Sequence, residues 1–191
     1  MTNYIRRKIF FSFYYIDRDL PKISQIRNCH ALENAFSQSP FLDKADWEKV
    51  KLPGEQAIKK WIDDQMLGTS VTIVLIAPET CSRPWIQYEI KKSWDEGKGL
   101  FGISMAGMKG WNTSNLPWAN WNNISDPFLS SNIKNPRTGL ATFTLFDKPP
   151  IYNWITEDGY NNIGQWINTA IFEAEKRTKR SRASHLLTGW R

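Results

Sequence analysis

The run Pro78-Glu79-Thr80-Cys81-Ser82-Arg83-Pro84-Trp85-Ile86-Gln87-Tyr88-Glu89 sets one carboxylate, Glu89, on the first turns of a predicted helix that directly follows a buried strand. Open α/β sheets bind ligands at such strand ends. A single acid placed there can stabilise positive charge as it develops on a bound molecule. Trp85 stands four residues before Glu89 and shares its helical face, so the acid has an aromatic neighbour instead of open water. Ile86 and Ile90 form a second pair one step round the helix, apolar and suited to packing on the sheet.

The strand that delivers this helix is Ser70 to Ala77, SVTIVLIA, an almost unbroken β-branched run of the kind found when helices cover both faces of a parallel sheet. Pro78 ends it. Ser82 offers a hydroxyl to cap free backbone N–H groups, Pro84 suits the first helical turn, and the helix is expected to run to about Glu96. A first strand is predicted over Ile9 to Tyr14, inside KIFFSFYY; Phe11 and Phe13 alternate along it, and Phe11 is the one read as core. A turn at Asp17 to Pro21 and a helix over Ile23 to Phe36 follow.

The alternating segment Trp47 to Leu52 is read as a short edge strand, and Gly54 to Leu67 as a helix with Ile58, Trp61, Ile62 and Met66 on its buried stripe. Leu100 to Ser104 is another strand, Ala141 to Phe146 the last, and Tyr160 to Arg177 the closing helix. The alternation gives an α/β fold, a flavodoxin-like three-layer sandwich around a central, mostly parallel sheet of about five strands. One domain is expected over residues 1–178, with a Trp-rich insertion at about 105–140 and a basic tail at 179–191. Trp111, Trp118 and Trp121 make that insertion an ordered element, since disordered segments are poor in aromatics. Trp61, Trp94 and Trp166 fall on helical stripes and are read as core.

A chain of 191 residues can bury about 70% of its unfolded surface without disulfides or metal. Cys29 and Cys81 lie far apart with no CxxC, and His30 and His185 are the two histidines, so neither a zinc site nor a disulfide framework is indicated. The net charge of +6 is local: Lys176, Arg177, Lys179, Arg180, Arg182 and Arg191 carry it, leaving nineteen cations against nineteen acids elsewhere. A neutral body with a basic end offers no broad phosphate-binding face, which argues against nucleic acid and for cations that suit a helix end. No apolar run is long enough for a bilayer and no h-region follows the start, so a cytoplasmic protein without membrane contact is expected. GxxxxGK[ST], GxGxxG after strand one, HExxH and GxSxG are all missing, and with them the usual sequence support for ATPases, Rossmann dehydrogenases, zinc hydrolases and serine hydrolases.

Phe11-Ser12-Phe13 with Asp17 at the end of strand one, paired about seventy residues later with Ser82, Trp85 and Glu89 in Ser-x-x-Trp-x-x-x-Glu spacing, resembles the TIR domains. The long Trp-rich insertion after the fourth strand narrows the resemblance to the TIR-like subunit of the bacterial Thoeris anti-phage system; residues 8–105 carry it well and the remainder loosely. The chain departs from better-known TIR domains in lacking a clear second-strand motif and its following loop.

The resemblance implies cleavage of the nicotinamide–ribose bond of NAD, with NAD as substrate and no cofactor or metal. Glu89 would be the catalytic carboxylate, stabilising the oxocarbenium-like ribose. Phe13, Tyr14 and Trp85 would wall the nicotinamide, Ser12 and Ser82 would offer hydroxyl contacts, and Asp17 would complete the substrate-binding set. The leaving group is already cationic, so no general acid is required. With water excluded, a hydroxyl of the adenosine half can attack instead, giving a cyclic ADP-ribose isomer that acts on a separate effector protein after an infection trigger of phage origin. A homo-oligomer stays open. The alternative is a non-catalytic TIR-like adaptor or infection sensor working by protein contact, with Glu89 serving structure.

Overall fold

The computed structural model describes residues 7–33, 36–40, 49–50, 52–109, 125–129, 143 and 148–188, with side chains as far as Lys179. Five strands form one sheet in the order β2-β1-β3-β4-β5, every pairing parallel. These strands are β1 (Arg7–Ser12), β2 (Phe36–Gln38), β3 (Thr69–Ile76), β4 (Gly99–Ser104) and β5 (Ile151–Asn153). The helices are α1 (Leu20–Arg27), α2 (His30–Glu33), α3 (Glu55–Met66), α4 (Pro84–Asp95) and α5 (Gly159–Thr188), with single 3₁₀ turns at Thr80–Ser82 and Pro127–Leu129. The expected flavodoxin-like α/β fold is what forms, and its strand order puts the topological switch point between β1 and β3.

Strand parity decides what faces what. Ile9, Phe11, Val71, Ile73, Leu75, Phe101 and Ile103 point to one side, where Ile23 and Ile26 of α1 and Ile163, Ile167 and Ile171 of α5 cover them. Phe10, Val74, Ile76 and Leu100 point to the other, against Ile58, Ile62 and Met66 of α3 and Ile86 and Ile90 of α4. Each fully buried side chain of this size contributes roughly 1.5–3 kcal/mol. Ser12 shares the parity of Phe10 and pairs in register with Val74, so β1 carries it to the α3–α4 side.

Several elements sit away from their sequence-based positions. The second strand is Phe36–Gln38, and Lys49 and Val50 are helical; Trp47, Glu48 and Lys51 lie outside the described residues. Three residues are too few for a period-2 signal, and side-chain bonds hold this edge instead: Arg27 donates to the Ser39 carbonyl at 2.7 Å and Gln38 to the Arg27 carbonyl at 2.6 Å. The helix expected over Ile23 to Phe36 is two helices, broken at Asn28 and Cys29.

The last strand is Ile151–Asn153, not Ala141 to Phe146; of the latter only Phe143 is described, as a buried coil residue. Gly102 makes room for this short strand, since a Cβ there would stand 2.6 Å from Ile76 Cδ1 and 3.1 Å from Ile151 Cγ1. The closing helix runs to Thr188, so the backbone of residues 179–188, expected as a tail, continues α5. Trp111, Trp118 and Trp121 lie outside the described residues.

Candidate active site

The turn between β3 and α4 is built by one threonine. Thr80 Oγ1 accepts from Ala77 N at 2.8 Å and donates to the Leu75 carbonyl at 3.3 Å, so the chain leaves the strand in a fixed direction. Gln87 reaches back to the Cys81 carbonyl at 3.0 Å. Ser82 does not cap the helix: its hydroxyl donates to the Glu79 carbonyl at 3.0 Å, and Arg83 occupies the N-cap position with no side-chain cap bond. Pro84 then opens α4 as its sequence position suggested.

Farther along α4, Ile86 and Ile90 pack on Val74, Ile76 and Leu100, while Trp85 and Tyr88 turn to the Phe10–Ile62 cluster. Glu89 lies in the seam between these two clusters and is 7% exposed. Ser12 Oγ, itself buried, donates to Glu89 Oε2 at 2.5 Å. Burial pushes the Glu89 carboxyl up to about 8, and the Ser12 hydrogen bond, which favours the charged form, pulls against that rise. Ser93 holds the next turn of the helix, donating to the Glu89 carbonyl and lying 2.7 Å from Thr72 Oγ1.

A cavity of about 580 Å³ opens on this carboxyl at the carboxyl ends of β1 and β3. Its lining brings together Phe13, Tyr14, Asp17, Trp85 and Glu89 of the expected set. Ser12 stands directly behind Glu89 through its hydrogen bond. Ser82 is not brought to the lining; it is exposed on the 3₁₀ turn. Phe11 is core as expected and also reaches the cavity wall.

Trp61 and Arg83 are among the lining residues that the sequence reading does not assign to the site. Trp61 packs against the Phe10–Ile62 cluster, as its helical stripe predicts, and also lines the cavity. Arg83, which the sequence analysis gives no role, has its guanidinium carbon 3.5 Å from the centroid of the Tyr14 ring. A cation two residues before the motif tryptophan, at the mouth of a strand-end crevice, was the available signal. The loops after β1 and β3 are further joined by Arg18, 2.5 Å from Glu79 Oε2.

The cavity lies at the β1/β3 switch point with one buried acid and aromatic walls, and residues 10–110 match a family model, Thoeris protein ThsB, TIR-like domain. The chain belongs to this ThsB TIR-like family. The match runs from within β1 past the end of β4 and so includes both Ser12 and Glu89. A Bacillus cereus (strain MSX-D12) protein provisionally named cyclic ADP-D-ribose synthase ThsB1 is 27% identical to this ThsB-like chain over 190 residues, covering 85% of it and 99% of the relative. Among the described residues no group of three His, Cys, Asp or Glu could hold a metal ion, and no helix is long and apolar enough to cross a membrane.

Proposed function

We propose that this TIR-like chain cleaves the nicotinamide–ribose bond of NAD and releases a cyclic ADP-ribose-type product that acts on a separate effector protein. The observation that carries the reading is the lone, buried Glu89 carboxyl on the wall of an aromatic-lined cavity at the switch point. The name of the Bacillus cereus relative supports the same product class.

The chemistry follows from the residue types. With the site empty, Glu89 is mostly protonated near neutral pH because its charge is poorly solvated. A nicotinamide cation seated among Phe13, Tyr14 and Trp85 supplies an opposite charge and favours the carboxylate form. As the C–N bond breaks, its electron pair leaves with nicotinamide and the positive charge moves to the ribose, where the Glu89 carboxylate stabilises it. A dry cavity slows capture by water, so a hydroxyl of the adenosine half attacks the ribosyl carbon and gives up its proton to Glu89, closing the ring. The product is an isomer of cyclic ADP-ribose together with free nicotinamide.

The test is expression of the wild type and Glu89→Gln in bacteria under phage infection, with NAD and cyclic ADP-ribose species measured in extracts by mass spectrometry. A new species in wild-type extracts alone supports the reading. Identical extracts across several restricted phages would leave protein contact as the function.

A further inference from the structure

Asp17, Arg83 and Glu89 are the charged residues described in the cavity lining, and Arg83 is the one cation among them. Neighbouring cations are engaged elsewhere: Arg18 with Glu79, and Lys22 with Asp19 at 3.3 Å. Among the described residues no acid pairs with Arg83, and its Nε is buried with no hydrogen-bond partner. The guanidinium sits over the Tyr14 ring, a cation–π contact that holds it at the cavity wall. Arg83 is also the uncapped N-cap residue of α4, so the positive end of the helix dipole adds to the same charge.

We propose that Arg83, seated over Tyr14, binds the phosphate groups of the dinucleotide and thereby selects it over phosphate-free nicotinamide ribosides. The assignment rests on the NAD reading above. Arg83 at the N-cap and Glu89 farther along the same helix both line the one cavity, so a single ligand can meet both. A planar, permanently charged fork matches two phosphate oxygens, which a lysine at the same place would not.

The experiment uses the full chain carrying Glu89→Gln, so that ligand is bound and not consumed, with NAD and nicotinamide riboside titrated calorimetrically. Adding Arg83→Gln is expected to weaken NAD by about ten- to a hundredfold, the worth of a charge-assisted hydrogen bond, and to leave nicotinamide riboside within about twofold. Arg83→Lys is expected to recover a minor part of the NAD affinity. Riboside binding doubles as the check that each variant is folded. Unchanged NAD affinity in Arg83→Gln, or an equal loss for both ligands, overturns the phosphate assignment and leaves the NAD reading standing. Failure of the Arg83-intact protein to bind NAD at all overturns both.

Discussion

The two faces of the sheet are built from the same strands and end up with opposite characters. On the α1–α5 side, apolar residues from β1, β3 and β4 join one continuous cluster that seals against Ile23, Ile163 and Ile167. On the α3–α4 side, the apolar residues divide into two clusters, and the seam between them takes Ser12, Glu89 and the cavity. The difference comes from single positions. A serine where β1 could have carried another apolar residue, and an acid where α4 could have continued its stripe, keep that face from closing.

The same contrast runs across α4 itself. Asp63 of α3 is pushed up by partial burial but held below its ordinary value by hydrogen bonds from Tyr88 and Lys92. Glu89, one residue on from Tyr88, has no cation beside it in that role, and burial takes its carboxyl to about 8. An acid on the outer edge of the α3–α4 pair is neutralised by partners; the one inside has a single serine hydroxyl and no cation beside it.

The largest expected effect comes from removing the charge at the seam. Glu89→Gln keeps the volume and should slow nicotinamide release by about 10²–10³-fold, the usual cost of losing one preorganised charge-stabilising group, with no loss of folding by circular dichroism. On the sealed face the balance should reverse. Ile167→Ala, at a fully buried site, should cost about 2–5 kcal/mol and lower the melting temperature by roughly 5–15 °C, leaving NAD affinity unchanged in calorimetry at a temperature where the variant is folded. If Ile167→Ala lost NAD binding and kept its stability, the division of labour between the faces would be wrong.

Proton linkage sharpens the comparison further. Glu89 titrates at about 8 in the folded chain against an ordinary 4.5, so the folded state holds the extra proton between those values. The stability this proton contributes is full below about pH 4.5 and is lost as pH rises toward 8, by at most about 1.4 kcal/mol per pH unit. Chemical denaturation of wild type and Glu89→Gln across this window should show the variant gaining on the wild type as pH rises. A gap independent of pH would place the Glu89 carboxyl near its ordinary range. The smallest effect is expected from Ser12→Ala, which removes the hydrogen bond favouring the carboxylate. The rising limb of the pH profile of kcat/KM should move to higher pH, with NAD affinity little changed.

Much of this is legible in the amino-acid sequence. β1, α3, β3, α4 and β4 carry long apolar runs or three-and-four stripes, and each lies within a residue or two of its predicted place. Phe13, Tyr14, Trp85 and Glu89 were placed at one site because two motifs had to meet across the sheet, and these four line one cavity. The misses share a physical cause. β2 and β5 have three residues each, and their position is set by side-chain bonds and by the absent Cβ of Gly102, neither of which leaves a periodic trace. Ser82 read equally well as a cap or a contact because a hydroxyl serves both; its carbonyl bond within the 3₁₀ turn depends on local backbone geometry. Trp61 fell on a correct helical stripe, yet periodicity gives a side and not the depth at which an aromatic ring meets open space.

The most direct test follows NAD labelled in its nicotinamide ring with wild-type and Glu89→Gln protein recovered from phage-infected cells, measuring released label and bound NAD on the same samples. The account predicts that the wild type frees labelled nicotinamide while Glu89→Gln binds NAD and frees almost none. Equal release by the two proteins, or none from either despite restriction of the phage, would contradict Glu89 as the carboxylate that breaks the bond.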